Sequence, residues 1–149
     1  MQISVIIPVF NEERTITEIV ARVQAVDPQS EIIIVNDGST DGTAAQLKTI
    51  DSTYDNVRVF EHKLNRGKGA ALRTGLAAAS GEVIIIQDAD LEYDPHDYEK
   101  LLVPILDGRA DVVYGSRFLG GPQRVLFFWH YVGNKLITLL CDAFSNLNQ

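Results

Sequence analysis

Glu82-Val83-Ile84-Ile85-Ile86-Gln87-Asp88-Ala89-Asp90 is the stretch that decides the fold. Four apolar residues in a row run into two carboxylates spaced one residue apart. A continuous apolar run of this length suits a strand buried on both faces, as in a parallel sheet. Open α/β sheets take their ligands in a crevice beyond the carboxyl ends of the strands. Asp88 and Asp90 are therefore expected at the rim of such a crevice. Two carboxylates placed there suit a divalent cation held against a phosphate. The pattern Asp-x-Asp alone says little, since roughly one chance match is expected in a chain this acidic. Position carries the weight, and the competing reading is a solvated acidic turn.

Working outward, strand and helix patterns alternate along the chain. Residues 3–8 read as an apolar strand stopped by Pro8, with Asn11 capping a helix over about 12–26. Ile16, Ile19, Val20 and Val23 fall at helical spacing and predict its buried stripe. A second strand over 31–36 leads through Asp37-Gly38-Ser39-Thr40-Asp41-Gly42 into a helix over about 43–50. A third strand over 57–62 leads through Asn65-Arg66-Gly67-Lys68-Gly69 into an alanine-rich helix over 70–80. The opening strand, 83–87, is the fourth. Pro95 then starts a helix to about 106, with Pro104 ending or kinking it. A fifth strand is expected over 111–114 and a last helix over 125–144. The order βαβαβαβαβα predicts a doubly wound α/β fold, a mostly parallel sheet flanked by helices. Short connections predict a single domain over 1–149.

Composition narrows the partners. The chain has 149 residues, 46% hydrophobic and 22% charged, with a net charge of −7. An acidic chain of ordinary hydrophobicity lacks the basic footprint of a nucleic-acid binder. From Val112 to Cys141 there is no Asp or Glu, while Arg117, Arg124 and Lys135 are present, so an anionic partner is expected at that end. The competing reading is a solvated basic face. Cys141 is the one cysteine, so no disulfide can form within the chain. No apolar run approaches the about 18 residues of a spanning helix. Met1-Gln2-Ile3-Ser4 reads as the start of a strand rather than the basic start of a signal peptide.

Every strand end carries polar residues. These are Pro8-Val9-Phe10-Asn11-Glu12, Asp37-Gly38-Ser39, Asn65-Arg66-Gly67-Lys68, Asp88-Ala89-Asp90 and Gly115-Ser116-Arg117. In a parallel sheet these ends share one edge, so the groups are expected to converge. Asp37 can accept from the N–H of a base or the hydroxyls of a ribose, or it can simply shape its turn. Lys68, between two glycines at a helix start, suits an anion, or it is a solvated side chain. Asp90 suits Mg²⁺ or Mn²⁺ bridging a diphosphate, Asp88 the ribose or the metal's water shell, and Glu92 an outer ligand position. Arg117 can neutralise a second phosphate. A P-loop and the Gly-x-Gly-x-x-Gly dinucleotide fingerprint are both absent. His62, His96 and His130 lack metal-ligand spacing.

In the segments Ser4-Val5-Ile6-Ile7-Pro8-Val9-Phe10-Asn11-Glu12, Ile34-Val35-Asn36-Asp37-Gly38-Ser39-Thr40-Asp41-Gly42-Thr43, Asn65-Arg66-Gly67-Lys68-Gly69-Ala70-Ala71, Gln87-Asp88-Ala89-Asp90-Leu91 and Tyr114-Gly115-Ser116-Arg117-Phe118, the chain resembles the family 2 glycosyltransferases of the GT-A, Rossmann-like, nucleotide-diphospho-sugar transferase fold. Gly-Lys-Gly-Ala and Gly-Ser-Arg-Phe are similar to the dolichyl- and polyprenyl-phosphate sugar synthases within it. The resemblance implies that Pro8, Phe10, Glu12, Asp37 and Gly38 form the nucleoside site, with Lys68 and Asp88 near the nucleotide. Asp88 and Asp90 are then the nucleotide–metal pair, with Glu92 as a further ligand to Mg²⁺ or Mn²⁺. Asp88, Asp90 and Arg117 are the residues it implies for catalysis.

The implied reaction moves a hexose from a nucleotide-diphosphate sugar, of the GDP-mannose or UDP-glucose type, to a polyprenyl or dolichyl phosphate, inverting the anomeric carbon. Members of the subgroup continue beyond the point where this chain stops, so the resemblance implies a C-terminally truncated, nucleotide-sugar-binding part of a longer protein. It further implies work at the cytoplasmic face of a membrane, where the apolar helix over 125–144 would lie in the interface; the competing reading of that helix is a core helix covered by a complete domain. Two other functions fit the residues: a nucleotide-sugar-binding module that does not complete transfer, and a phosphohydrolase using Asp88 as nucleophile.

Overall fold

The computed structural model describes residues 1–115 of the chain. Expectations on Arg117 and on a helix over 125–144 concern residues outside that range. One compact unit runs from Met1 to Asp111.

Its four strands are β1 (Ile3–Val9), β2 (Glu31–Asn36), β3 (Val57–Glu61) and β4 (Val83–Ile86). The helices are α1 (Ile16–Val26), α2 (Thr43–Thr53), α3 (Lys68–Ala78) and α4 (Tyr98–Leu106), the last entered through a 3₁₀ turn at Pro95–Asp97. All strand pairs are parallel, in the order β3-β2-β1-β4. The chain thus steps from β1 outward to β3, then returns to lay β4 on the other side of β1. The reversal makes the gap between the carboxyl ends of β1 and β4 the topological switch point, where doubly wound sheets open a crevice.

Alternation sorts the core onto two faces. Val5, Ile7, Val9, Ile32, Ile34 and Ile85 meet the stripe Ile16, Ile19, Val20 and Val23 of α1 and Leu47 and Ile50 of α2. Ile6, Ile33 and Val35 face Ala71 of α3. These side chains are buried, most of them completely, and each fully buried Val, Ile or Leu is worth about 1.5–3 kcal/mol relative to exposure.

Several local expectations shift. Pro8 does not end β1; it sits in the ladder opposite Val35. The main chain explains why. The carbonyls of Gln2 and Ile6 face β4 and that of Val9 faces β2. Residue 8 therefore points toward β4, whose ladder stops at the Ile6–Ile86 pair. The N–H that proline lacks has no partner to lose there. Helix α3 begins at Lys68, two residues before the expected start. Pro104 lies inside α4 rather than at its end. No strand forms over 111–114: Val112 and Tyr114 are 64% and 90% exposed and, among the described residues, no strand flanks them to complete a ladder.

Candidate functional site

The loops after β1 and β2 are laced together. Asn11 adopts a left-handed backbone, φ 58°, which asparagine tolerates better than most residues. It does not cap α1. Its Oδ1 instead accepts from the Thr40 N–H at 2.8 Å, and its own N–H donates to Ser39 Oγ at 2.9 Å. Glu12 N–H donates to Thr43 Oγ1 at 2.9 Å, and Gly42 N–H to the Glu13 carboxylate at 2.8 Å. Phe10, at the mouth of these loops, is 44% exposed.

Asp37, just beyond β2, is 2% exposed and ties down the turn that precedes α3. Its Oδ1 lies 2.6 Å from His62 Nδ1, and Oδ2 accepts from the Gly67 N–H at 2.7 Å. The Arg66 N–H is shared between both oxygens at 3.1 Å. His62 is braced in turn by Thr74 Oγ1, 2.9 Å from its Nε2. Burial alone would raise the Asp37 pKa, but the His62, Arg66 and Gly67 hydrogen bonds outweigh it and hold the carboxyl below the ordinary range. Gly38 allows the turn to close. It has φ +72°, and a Cβ there would lie 2.6 Å from Asn65 N and from the Leu64 carbonyl carbon.

The same turn delivers Lys68 as the first residue of α3, where its Nζ lies 2.6 Å from Asp88 Oδ1. In the acidic turn, Ala89 is buried at 4% exposure and Asp90 is exposed, its Oδ1 accepting from the Glu92 N–H at 3.0 Å. Among the described residues, no group of three or more His, Cys, Asp or Glu gathers into a cluster able to hold a metal ion. Asp88 and Asp90 supply hard oxygen donors without Glu92 completing a cage. This donor set fits a cation such as Mg²⁺ or Mn²⁺ that takes one or two carboxylates and fills its shell with phosphate oxygens and water.

These parts enclose a cleft of about 300 Å³ lined by Pro8, Val9, Phe10, Glu12, Asp37, Asn65, Lys68, Ala71, Asp88, Ala89 and Asp90. Residues expected from four separate strand ends thus share one cavity at the switch point. Gly38 shapes the neighbouring turn, Glu92 does not line the cleft, and Arg117 lies outside the described residues. A larger, shallower groove of about 570 Å³, between β3 and α3, collects none of the acidic strand-end residues. Asn65 lines the cleft, as its place at the third strand end led one to expect, while sequence reasoning missed His62 as the partner of Asp37. It also missed buried Gln87, whose Oε1 accepts from Tyr98 Oη at 2.8 Å. The polar residue ending an apolar strand was the one available signal for Gln87.

Known proteins resemble the chain in this region. The family model described as glycosyl transferase family 2 matches residues 4–147. A dolichol-phosphate mannosyltransferase of Pyrococcus furiosus is 34% identical over 123 residues, covering 81% of this chain and 34% of that protein. A mannosyltransferase of Pyrobaculum calidifontis, solved in complex with GDP-Man and Mn²⁺, matches with a TM-score of 0.55 and 33% identity over 59% of this chain and 27% of the other. The glucosyl-3-phosphoglycerate synthase of Mycobacterium tuberculosis, solved with Mn²⁺, UDP and glucosyl-3-phosphoglycerate, matches with a TM-score of 0.57 and 31% identity over 70% of this chain and 39% of the other. The chain spans about a third to a half of the length of the curated relatives it matches.

Proposed function

This chain belongs to glycosyl transferase family 2, and from that premise we propose that it holds a nucleotide-diphosphate sugar for inverting transfer of a hexose to a polyprenyl or dolichyl phosphate. One observation carries the reading. Pro8, Phe10, Glu12, Asp37, Lys68, Asp88 and Asp90 line one cleft at the reversal of strand order. The relative from Pyrococcus furiosus, named for dolichol phosphate, supports the lipid acceptor. The two structures with GDP-Man and with UDP support a nucleotide-sugar donor and leave both bases open.

In this reading the nucleoside rests against Phe10 and Pro8, with Glu12 beside the sugar hydroxyls. Asp37 meets the nucleoside while fixing the turn that carries Lys68. Lys68 faces the diphosphate. Asp88 and Asp90 would hold Mg²⁺ or Mn²⁺, which when bound offsets negative charge on the departing diphosphate. Mn²⁺ is the ion in the two solved relatives. The acceptor phosphate is already an anion, so no strong general base is required of the chain. Arg117 would neutralise a donor or acceptor phosphate, and the apolar stretch over 125–144 would bring the domain to the cytoplasmic face of the membrane holding its acceptor. Among the described residues no helix is long and apolar enough to cross a membrane.

A second reading rests on length. Since the chain spans 34% of the Pyrococcus furiosus protein, donor binding without transfer is the alternative. Family membership sets aside the phosphohydrolase. Calorimetry with GDP-mannose and UDP-glucose, with and without Mn²⁺, tests the donor site. Metal-dependent binding abolished by Asp90→Ala is expected, and binding indifferent to that substitution refutes the assignment. Transfer of labelled hexose to a polyprenyl phosphate in detergent then separates enzyme from binding module.

A further inference from the structure

Gln87 interrupts a hydrophobic run at a buried position, where an aliphatic residue would continue the pattern of Val83–Ile86. It is 1% exposed. An amide taken out of water there is destabilising unless its donors and acceptor are matched. All of them are. Oε1 accepts from the Tyr98 hydroxyl at 2.8 Å, and Nε2 donates to the carbonyls of Asp88 at 3.0 Å and Tyr93 at 3.2 Å. Two carbonyl acceptors at one end of the amide fix which end is nitrogen. Its main-chain N–H donates to the Ile6 carbonyl at 2.9 Å, tying Gln87 to β1.

The two carbonyls that Gln87 reaches bracket the acidic turn, one at its first residue and one past its last carboxylate. Between them Leu91 has φ 64°, a left-handed conformation that is unfavourable for an ordinary residue and persists only when its surroundings impose it. Tyr98 is the first residue of α4, 5% exposed, and its burial pushes the phenol above its ordinary pKa, so it stays a donor. The turn is therefore clasped from beneath by a side chain that is itself held by a helix.

We infer that Gln87 and Tyr98 are positioning residues, setting the shape of the 88–93 turn in which Asp88 and Asp90 meet a divalent cation and the diphosphate of the donor. The inference rests on the proposed donor site. It predicts that loss of the clasp weakens the metal-dependent part of binding more than the nucleotide-dependent part.

The test uses the full chain, with Gln87→Met, which keeps the volume and removes the amide, and Tyr98→Phe, which removes only the hydroxyl that holds it. Amide hydrogen exchange over 88–93 is measured without ligand, and Mn²⁺ half-saturation is measured with GDP-mannose and with UDP-glucose. Faster exchange confined to 88–93, with half-saturation rising about 10–100-fold and metal-free nucleotide affinity held within about twofold, supports the inference. A lower Tm with unchanged half-saturation and unchanged local exchange makes the pair structural only and overturns it. If Gln87→Met does not fold, Tyr98→Phe decides alone on the same readouts. If the unaltered chain binds neither sugar nucleotide, the donor reading fails; exchange over 88–93 that stays unchanged in the variants overturns the clasp separately.

Discussion

Lys68 Nζ lies 2.6 Å from Asp88 Oδ1, so the first residue of α3 is ion-paired to the first acid after β4. In the proposed site both partners have other duties, the lysine toward phosphate and the aspartate toward a cation. The pair is partly open, with side chains 58% and 22% exposed. Pairs of this kind contribute about 0–1 kcal/mol to stability. In the proposed site its larger consequence is that the ammonium would stand in for a cation at Asp88 until a ligand arrives.

Replacing the lysine therefore separates metal from donor. In Lys68→Gln, Mn²⁺ is expected to bind the nucleotide-free chain more tightly, while the sugar nucleotide binds more weakly, by about tenfold or more for a lost charged contact. The Tm should barely move. Electron paramagnetic resonance of free Mn²⁺ and calorimetry of the nucleotide check the two halves, and weaker Mn²⁺ binding without nucleotide would contradict the pairing argument.

Asp37→Asn tests the anchor of the Asn65–Lys68 turn. The asparagine offers one acceptor where the carboxylate serves His62, Arg66 and Gly67. A loss of about 1–3 kcal/mol in urea unfolding at pH 7 is expected. The folded pKa of Asp37 is depressed, so its contribution is fully present above the unfolded carboxyl value near about 3.9. That contribution disappears as pH falls through the folded value. The gap in stability between the unaltered chain and Asp37→Asn should therefore close in acid.

Glu31 makes the same argument at the opposite end of the sheet. Burial alone would raise its pKa, but hydrogen bonds from Ser4, Ser80 and Arg58 hold the carboxyl down to about 2. Its stabilisation is present above about 4.3, the unfolded glutamate value, and is lost as pH falls toward about 2. Glu31→Gln should flatten the acid limb of the stability–pH curve over that window. Donor binding at pH 7 should be unchanged, because Glu31 contacts the start of β1 and the Ala79–Gly81 connection and not the cleft.

Gly38→Ala should disturb the site through the backbone. With φ +72° and a new Cβ 2.6 Å from Asn65 N, the substitution strains its own residue and pushes the turn that carries Lys68. Destabilisation above about 1 kcal/mol is expected, together with weaker sugar-nucleotide binding. Thermal unfolding and calorimetry measure both, and a variant as stable as the original would show that the turn yields without consequence.

Much of the architecture was legible because its signals are local. The apolar run Val83–Ile86 marked a parallel strand but not its burial: β4 stands at the edge of the described sheet, and Ile84 and Ile86 are 40% and 52% exposed while Ile85 is buried. Ile16, Ile19, Val20 and Val23 marked the buried face of α1 by spacing alone. Pro8 misled because its effect depends on which neighbour its missing N–H would face, and that neighbour, β4, lies more than seventy residues away. Asn11 misled for a similar reason: its side chain found Thr40 across the β2–α2 loop rather than its own helix.

The sequence by itself determined that strands and helices alternate, that each strand ends in polar residues, and that Asp88 and Asp90 follow the most apolar strand. Periodicity and turn chemistry act over a few residues, so they can be read in order. Tertiary structure decided the strand order β3-β2-β1-β4, and with it which ends share the cleft. It also decided that Asp37 clamps the Arg66–Gly67 turn, that Lys68 meets Asp88, and that Gln87 supports the acidic turn from Tyr98. Each is a contact between residues far apart in sequence or on opposite sides of a turn. Register and helix placement set such contacts, and no local pattern encodes them.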